Sequence, residues 1–233
     1  MPELDSGRAV LISGGTGALG RAVVARFVAA GDRAIVPWIV KRELDGLEAE
    51  EADAIRRGRI VPVECDVADD AGARRAAGAL PDVDVLVNGV GGFGGGQSVH
   101  ESDLELWDRM WRMNVRTAVS LSRAVLPGML ARRHGAIVNI SSRAALELPA
   151  GLGAYATAKR ALLSFAEILQ KEVADRGVRV NTIAPTTIDT PANRAAMPNA
   201  DFSQWTPPAR IADVIFWLAS DAASTVKGAL VPV

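Results

Sequence analysis

Tyrosine is nearly missing from this chain. Among 233 residues there is one, Tyr155, beside a single cysteine, Cys65, and four lysines. One cysteine excludes an intramolecular disulfide and a multi-cysteine metal site. His100 and His134 have no carboxylate or second histidine at ligand spacing, so both read as surface residues and no metal site is expected. A formal net charge of −1 supplies no general attraction to nucleic acid or to an anionic membrane. No cationic segment leading into an apolar one opens the chain, and no apolar run reaches the length of a membrane span. Hydrophobic residues make up 49% of the chain, enough for a sizeable core. A globular, cytoplasmic protein is expected.

Scarcity makes the positions of Tyr155 and Lys159 informative. They stand four residues apart at the start of an alanine-rich, helix-favouring run, which puts both side chains on one helix face. A free tyrosine titrates near pH ~10, and an adjacent ammonium favours the phenolate. A phenol tuned in this way exchanges a proton with a carbonyl or alcohol oxygen near neutral pH. The Ser142 hydroxyl, upstream, is suited to polarise the same oxygen. The pair alone fits two surface neighbours equally well; the order of the rest of the chain separates the two readings.

Arg8 to Ser13 is a short β-branched run and reads as a strand. The glycine-rich Gly14-Gly15-Thr16-Gly17-Ala18-Leu19-Gly20 follows, then a helix over Arg21 to Ala30 stopped by Gly31. Strand, glycine turn and helix together suit dinucleotide binding: the backbone can approach a pyrophosphate, and the helix N-terminus offers free N–H donors. Arg33 to Trp38 predicts the second strand, whose end meets the adenosine ribose in such folds. No acid stands at Trp38, and Lys41 and Arg42 follow, which favours NADP(H) over NAD(H). The same two cations also suit the start of a solvated helix over Glu43 to Arg57.

Further strands are expected at Gly58 to Glu64, Asp84 to Asn88, Gly135 to Ile140, Val178 to Ile183 and Gly228 to Val233. Helices are expected at Asp69 to Leu80, Asp103 to Arg133, from Tyr155 to about Arg176, and Arg210 to Ser220. Asp66, after the third strand, suits either an adenine amine or a cap for the next helix. Cys65 reads as a small buried residue. The glycines from Gly89 to Gly96 suit a loop against a flat ligand. Leu104, Trp107, Trp111 and Val115 recur at helical spacing, the pattern of a buried face, with Asn114 inside it and Pro127 and Gly128 as possible breaks. Residues 186–208 read as an irregular segment. Alternating strands and helices predict one α/β domain over residues 1–233, a single doubly wound parallel sheet with helices on both faces. Ligands gather at the carboxyl ends of its strands. The glycine turn, Asn88, Ser142 and Pro185 all lie just past strand ends, so they converge with Tyr155 and Lys159 on one crevice.

These features together resemble the classical short-chain dehydrogenases/reductases along nearly the whole chain. The family's Tyr-x-x-x-Lys appears as Tyr155 to Lys159, its serine as Ser142 and its asparagine as Asn114. Its glycine turn appears as Ser13 to Gly20, and its Asn-Asn-Ala-Gly as Asn88-Gly89-Val90-Gly91. Pro185-Thr186 stands where the family has Pro-Gly, with Ile188 and Thr190 at the positions that hold the nicotinamide carboxamide. The resemblance implies a Rossmann fold and an NAD(P)(H)-dependent carbonyl reduction or alcohol oxidation on a small-molecule substrate, in a homotetramer or homodimer. It implies catalytic roles for Ser142, Tyr155, Lys159 and Asn114. It implies cofactor contacts at Gly14, Thr16, Gly17, Leu19, Gly20, Trp38, Lys41, Arg42, Asp66, Val67, Asn88, Gly89, Tyr155, Lys159, Pro185, Ile188 and Thr190. Ala18, Gly89 and Thr186 depart from the pattern. The glycine loops and residues 189–207 also resemble dihydropteridine reductase, although that enzyme usually has an acid at the Trp38 position and lacks the serine found here as Ser142. A non-catalytic, NADP-sensing protein of the same fold is the rival from another class, against which the intact set Ser142, Tyr155, Lys159 and Asn114 speaks.

Overall fold

The computed structural model describes residues 7–233. Seven strands form one parallel sheet: β1 (Ala9–Ser13), β2 (Arg33–Trp38), β3 (Ile60–Glu64), β4 (Val83–Asn88), β5 (Gly135–Ile140), β6 (Val178–Ala184) and β7 (Leu230–Pro232). Their order in the sheet is β3-β2-β1-β4-β5-β6-β7, and every pairing is parallel. The helices are α1 (Ala18–Ala29), α2 (Lys41–Arg56), α3 (Asp70–Ala77), α4 (Leu104–Trp111), α5 (Thr117–Arg132), α6 (Ala144–Glu147), α7 (Gly153–Val173), α8 (Pro191–Ala196) and α9 (Pro208–Leu218).

Side chains alternate between the faces of each strand. In β1, Val10 and Ile12 pack with α1, α2 and α9, through Val23, Val24, Phe27, Leu47, Ile211 and Ile215. Ala9 and Leu11 pack on the other face with α3, α5 and α7, through Ala73, Leu121, Val125, Met129 and Leu169. Both faces being covered, the strands are apolar almost throughout, as parallel strands are. The sheet changes winding direction between β1 and β4, and that switch point opens the crevice at the strands' carboxyl ends.

Three expectations need correction. The helix expected over residues 103–133 is interrupted by a π-helical turn at Arg112–Arg116, whereas Pro127 lies inside α5 without ending it. Pro127 is exposed, and so is Arg123, whose carbonyl loses its helical donor; water can take that place. The stripe expected to be buried is split. Leu104 is 80% and Trp111 53% exposed, while Met110 and Val115 are buried. Residues 186–208 are more ordered than an irregular segment. Thr190 caps α8 by accepting from the Asn193 N–H at 3.2 Å, and the carboxylate of Asp189 takes Arg194 at 2.6 and 2.8 Å.

Candidate active site

At the switch point the ends of β1 and β4 are tied by one hydroxyl. Ser13 Oγ donates to the Val87 carbonyl at 3.2 Å and accepts from the N–H groups of Gly89 and Val90 at 3.1 and 3.3 Å. The backbones approach so closely that a Cβ on Gly89 would lie 2.6 Å from the Ser13 carbonyl oxygen. The departure at Gly89 therefore matches this chain's own packing. Ala18 is not among the residues with positive φ, so that substitution costs nothing.

The glycine turn ends at Gly17, which heads α1 with no side-chain cap and no acid in the first turn. A Cβ there would come no nearer than 3.4 Å to any neighbour. The protein's own packing leaves that space open, beside free helical N–H donors, and this is the provision a pyrophosphate requires. Beyond β2 and β3 a pocket is lined by Trp38, Ile39, Cys65, Asp66, Val67 and Val90 on one side and Arg112, Met113 and Thr117 on the other. Ile39 is 65% exposed at its rim. A flat apolar ring fits this lining, which lies past the ends of β2 and β3.

Asp66 faces that pocket. Its Oδ1 accepts from the Ala68 N–H at 2.8 Å, and its Oδ2 takes Arg112 at 2.7 Å. Helix α3 begins after Asp69, so Asp66 does not cap it. Burial opposes the Asp66 charge, but the Ala68 N–H and the Arg112 guanidinium outweigh it and hold the carboxyl below its usual range. Arg112 was not among the residues expected from sequence. Two expected cofactor contacts are buried, although Val67 also lines the pocket. Asn88 is buried, with Nδ2 donating to Asn139 Oδ1 at 2.9 Å across the β4–β5 pair, and the Val67 side chain lies in the core. Lys41 is held by Asp45 and Glu48, at 2.7 and 3.0 Å. The Thr190 hydroxyl serves the α8 cap.

At the end of β5, Ser141 Oγ donates to the Lys159 carbonyl at 3.0 Å and fixes α7 against the strand. That brings Ser142, Tyr155 and Lys159 together. The Ser142 hydroxyl, which accepts from the Ala144 N–H at 3.2 Å, is close enough to the Tyr155 phenol to pull its pKa down. Lys159 Nζ donates to the Ile140 carbonyl at 2.9 Å from a site 5% exposed, and burial lowers its pKa to about 8. The Tyr155 pKa is raised by burial, with the Ser142 hydroxyl pulling it partly back. The sequence-based expectation that Lys159 lowers the Tyr155 pKa is thus not met in the chain without cofactor. Its ammonium is turned to Ile140, and desolvation dominates at the phenol.

Asn114 occupies the π turn. Its Nδ2 donates to the Met110 carbonyl at 3.0 Å, competing for the acceptor that a regular α-helix would use, and to the Gly92 carbonyl at 3.1 Å. A Cβ on Gly91 would lie 2.8 Å from Asn114 Oδ1 and 3.0 Å from Lys159 Nζ, so these two groups flank one glycine. The Gly89–Gly96 loop is packed throughout its middle. Gly92 abuts Met113, Gly94 abuts Leu106, and Gly95 abuts Leu152. Phe93 projects from it edge-on to Tyr155, ring centroids 5.1 Å apart.

The sequence profile described as short chain dehydrogenase matches residues 8–201. The chain belongs to the short-chain dehydrogenase family. It is 30% identical to the 2-(R)-hydroxypropyl-CoM dehydrogenase of Xanthobacter autotrophicus, over 95% of each chain. It is 30% identical to the 3-oxoacyl-[acyl-carrier-protein] reductase FabG of Thermotoga maritima, over 97% of this chain and 95% of that one. Among solved structures, a 3-oxoacyl-[acyl-carrier protein] reductase with bound NAD from Brucella melitensis superimposes with a TM-score of 0.86 at 31% identity, covering 99% of this chain and 91% of that one. As a family member the chain is an NAD(P)-dependent oxidoreductase that interconverts carbonyl and alcohol groups. Among the described residues, no helix is long and apolar enough to cross a membrane.

Proposed function

We propose that this chain reduces a small-molecule carbonyl compound, or oxidises the corresponding alcohol, with Tyr155 passing the proton. The convergence of Ser142, Tyr155 and Lys159 beside a packed glycine loop carries this reading. The hydride would come from, or go to, a nicotinamide held at the carboxyl ends of the strands. Ser142 donates a hydrogen bond to the substrate oxygen and orients it. Tyr155, kept protonated by burial, is the acid in the reductive direction. Lys159 retains its charge below about pH 8 and stabilises the phenolate that remains after proton transfer. Asn114, one glycine away, completes a path by which a water returns a proton from solvent.

The head of α1 and Leu19 would hold the pyrophosphate, and Asp66 with the Val67 backbone the adenine. Trp38 and Ile39 would flank the adenosine, and Pro185, Ile188 and Thr190 the nicotinamide end. The preference for NADP(H) rested on Lys41 and Arg42. Lys41 is now engaged within its own helix, so Arg42 alone still supports it. Leu104, Trp111 and, on α7, Ile168 are exposed, and by family analogy they cover one another in a homo-oligomer.

The test is Tyr155→Phe. Turnover of NADH or NADPH with a carbonyl panel should fall by a factor of about 10² to 10⁴ while cofactor binding survives. Near-normal turnover in that variant sinks the assignment.

A further inference from the structure

The strand that meets the adenosine ribose ends at Trp38, and neither it nor Ile39 and Val40 after it offers an acid. A carboxylate nevertheless reaches that corner. Glu43, in the first turn of α2, accepts a hydrogen bond from Thr16 Oγ1 at 3.1 Å. Thr16 is 5% exposed and immediately precedes Gly17, the head of α1. The bond therefore holds one end of the Glu43 carboxylate at the glycine turn, on the residue next to the head of α1.

Two of the surrounding cations are already paired with carboxylates. Lys41 is drawn along α2 by Asp45 and Glu48. Arg21 is held by Glu50 at 3.0 Å and by the Thr16 carbonyl at 3.0 Å. Arg42 is exposed, and its side chain has no hydrogen bond or ion pair among the described residues. The corner thus presents the Glu43 carboxylate on the Thr16 hydroxyl and the Arg21 guanidinium, itself paired with Glu50, on the Thr16 carbonyl, with the Arg42 side chain unpaired beside them.

A carboxylate accepts hydrogen bonds from ribose hydroxyls, and it repels a phosphate placed where the 2′-hydroxyl would be. We propose that Glu43, delivered by α2 and fixed by Thr16, supplies the ribose-facing acid that β2 lacks and makes the chain select NAD(H) over NADP(H). This inference rests on the dehydrogenase reading above and reverses the preference suggested by Lys41 and Arg42.

The experiment is equilibrium titration of the full chain with NADH and with NADPH, read by quenching of tryptophan fluorescence, Trp38 lining the pocket. The wild type should bind NADH at least about tenfold more tightly, a difference of about 1.4 kcal/mol. Glu43→Gln, which keeps an acceptor for Thr16, should bring the two dissociation constants within about threefold, chiefly by tighter NADPH binding. A wild type that prefers NADPH overturns the inference. So does a Glu43→Gln variant whose NADH/NADPH ratio is unchanged, which would leave Glu43 as a brace between α2 and the glycine turn. Binding of neither cofactor would instead overturn the dehydrogenase reading, and this inference with it.

Discussion

Asn114 holds Gly92 by both of its backbone polar groups: it donates to the Gly92 carbonyl at 3.1 Å and accepts from the Gly92 N–H at 3.3 Å. One side chain thus sets the position of the loop that carries Phe93 toward Tyr155. It also explains why the helix ladder slips to a π turn at this residue and nowhere else in the long helical stretch.

Asn114→Ala should therefore act on both stability and rate. It removes a buried amide and leaves the polar groups of Gly92 to find water, at a cost of about 1–3 kcal/mol. For a chain of this size that lowers the melting temperature by roughly 2–4 °C per kcal/mol. Turnover should fall further than the stability loss accounts for, since Lys159 loses its neighbour across Gly91. A variant that melts early but turns over normally would reduce Asn114 to a structural role.

Two glycines of the same loop should respond oppositely to alanine. At Gly91 the new Cβ meets Asn114 Oδ1 and Lys159 Nζ at 2.8 and 3.0 Å, so Gly91→Ala should depress turnover strongly. At Gly96 nothing lies within 4 Å, but φ is +99°, so Gly96→Ala should cost about 1–2 kcal/mol of backbone strain and spare the chemistry. Steady-state kinetics beside thermal denaturation distinguish the two; equal losses of turnover would contradict the packing described.

Restoring the family residue should harm this protein. Gly89→Asn places a Cβ 2.6 Å from the Ser13 carbonyl oxygen. Separating the β1 and β4 ends to accommodate it should cost about 1–3 kcal/mol and strain the Ser13 hydrogen bonds to Val87, Gly89 and Val90. Chemical denaturation is the measurement, and a stabilised variant would refute the close approach.

The single tyrosine makes its own titration readable by phenolate absorbance. In the protein without cofactor the band should appear only above the ordinary value near pH ~10, because burial raises the Tyr155 pKa. Ser142→Ala should move it higher still, since the Ser142 hydroxyl lowers it. The sign for stability follows: the benefit of burying the neutral phenol is complete below the unfolded pKa and is lost as pH rises through the higher folded one. Lys159 runs the other way. Its folded pKa of about 8 lies below the ordinary 10.5, so its contribution is complete above the unfolded value and is lost as pH falls toward 8. An absorbance midpoint below pH 10 without cofactor would show that Lys159 already tunes the phenol.

The strands were legible because parallel strands buried on both faces read as short apolar runs, and the crevice followed from their order. Tyr155 and Lys159 drew notice because tyrosine and lysine are rare in this chain and stand at helical spacing, and Ser142 because it follows a strand end. Asn88 was not, since its outward or inward aim depends on a period-two register; Asn88 shares the face of Leu86 and points at Ser122 on α5, 3.5 Å away. Arg112 to Asp66 and Glu43 to Thr16 span 46 and 27 positions. Such pairs leave no periodic trace in a sequence. The helical spacing of Leu104 and Trp111 marked an apolar stripe correctly but could not say whether the chain covers it.

In this sheet β1 is made first on the ribosome and lies third in space. Its β2 side can be satisfied once residue 38 has emerged, but its other side waits for Val83–Asn88. Until then the nascent chain displays an unpaired, largely apolar central edge, the kind of surface that recruits another strand. Synthesis that stalls between those points should yield aggregates rather than a half-sized folded unit. The β1–β4 seam that shapes the crevice is also the step on which productive folding depends.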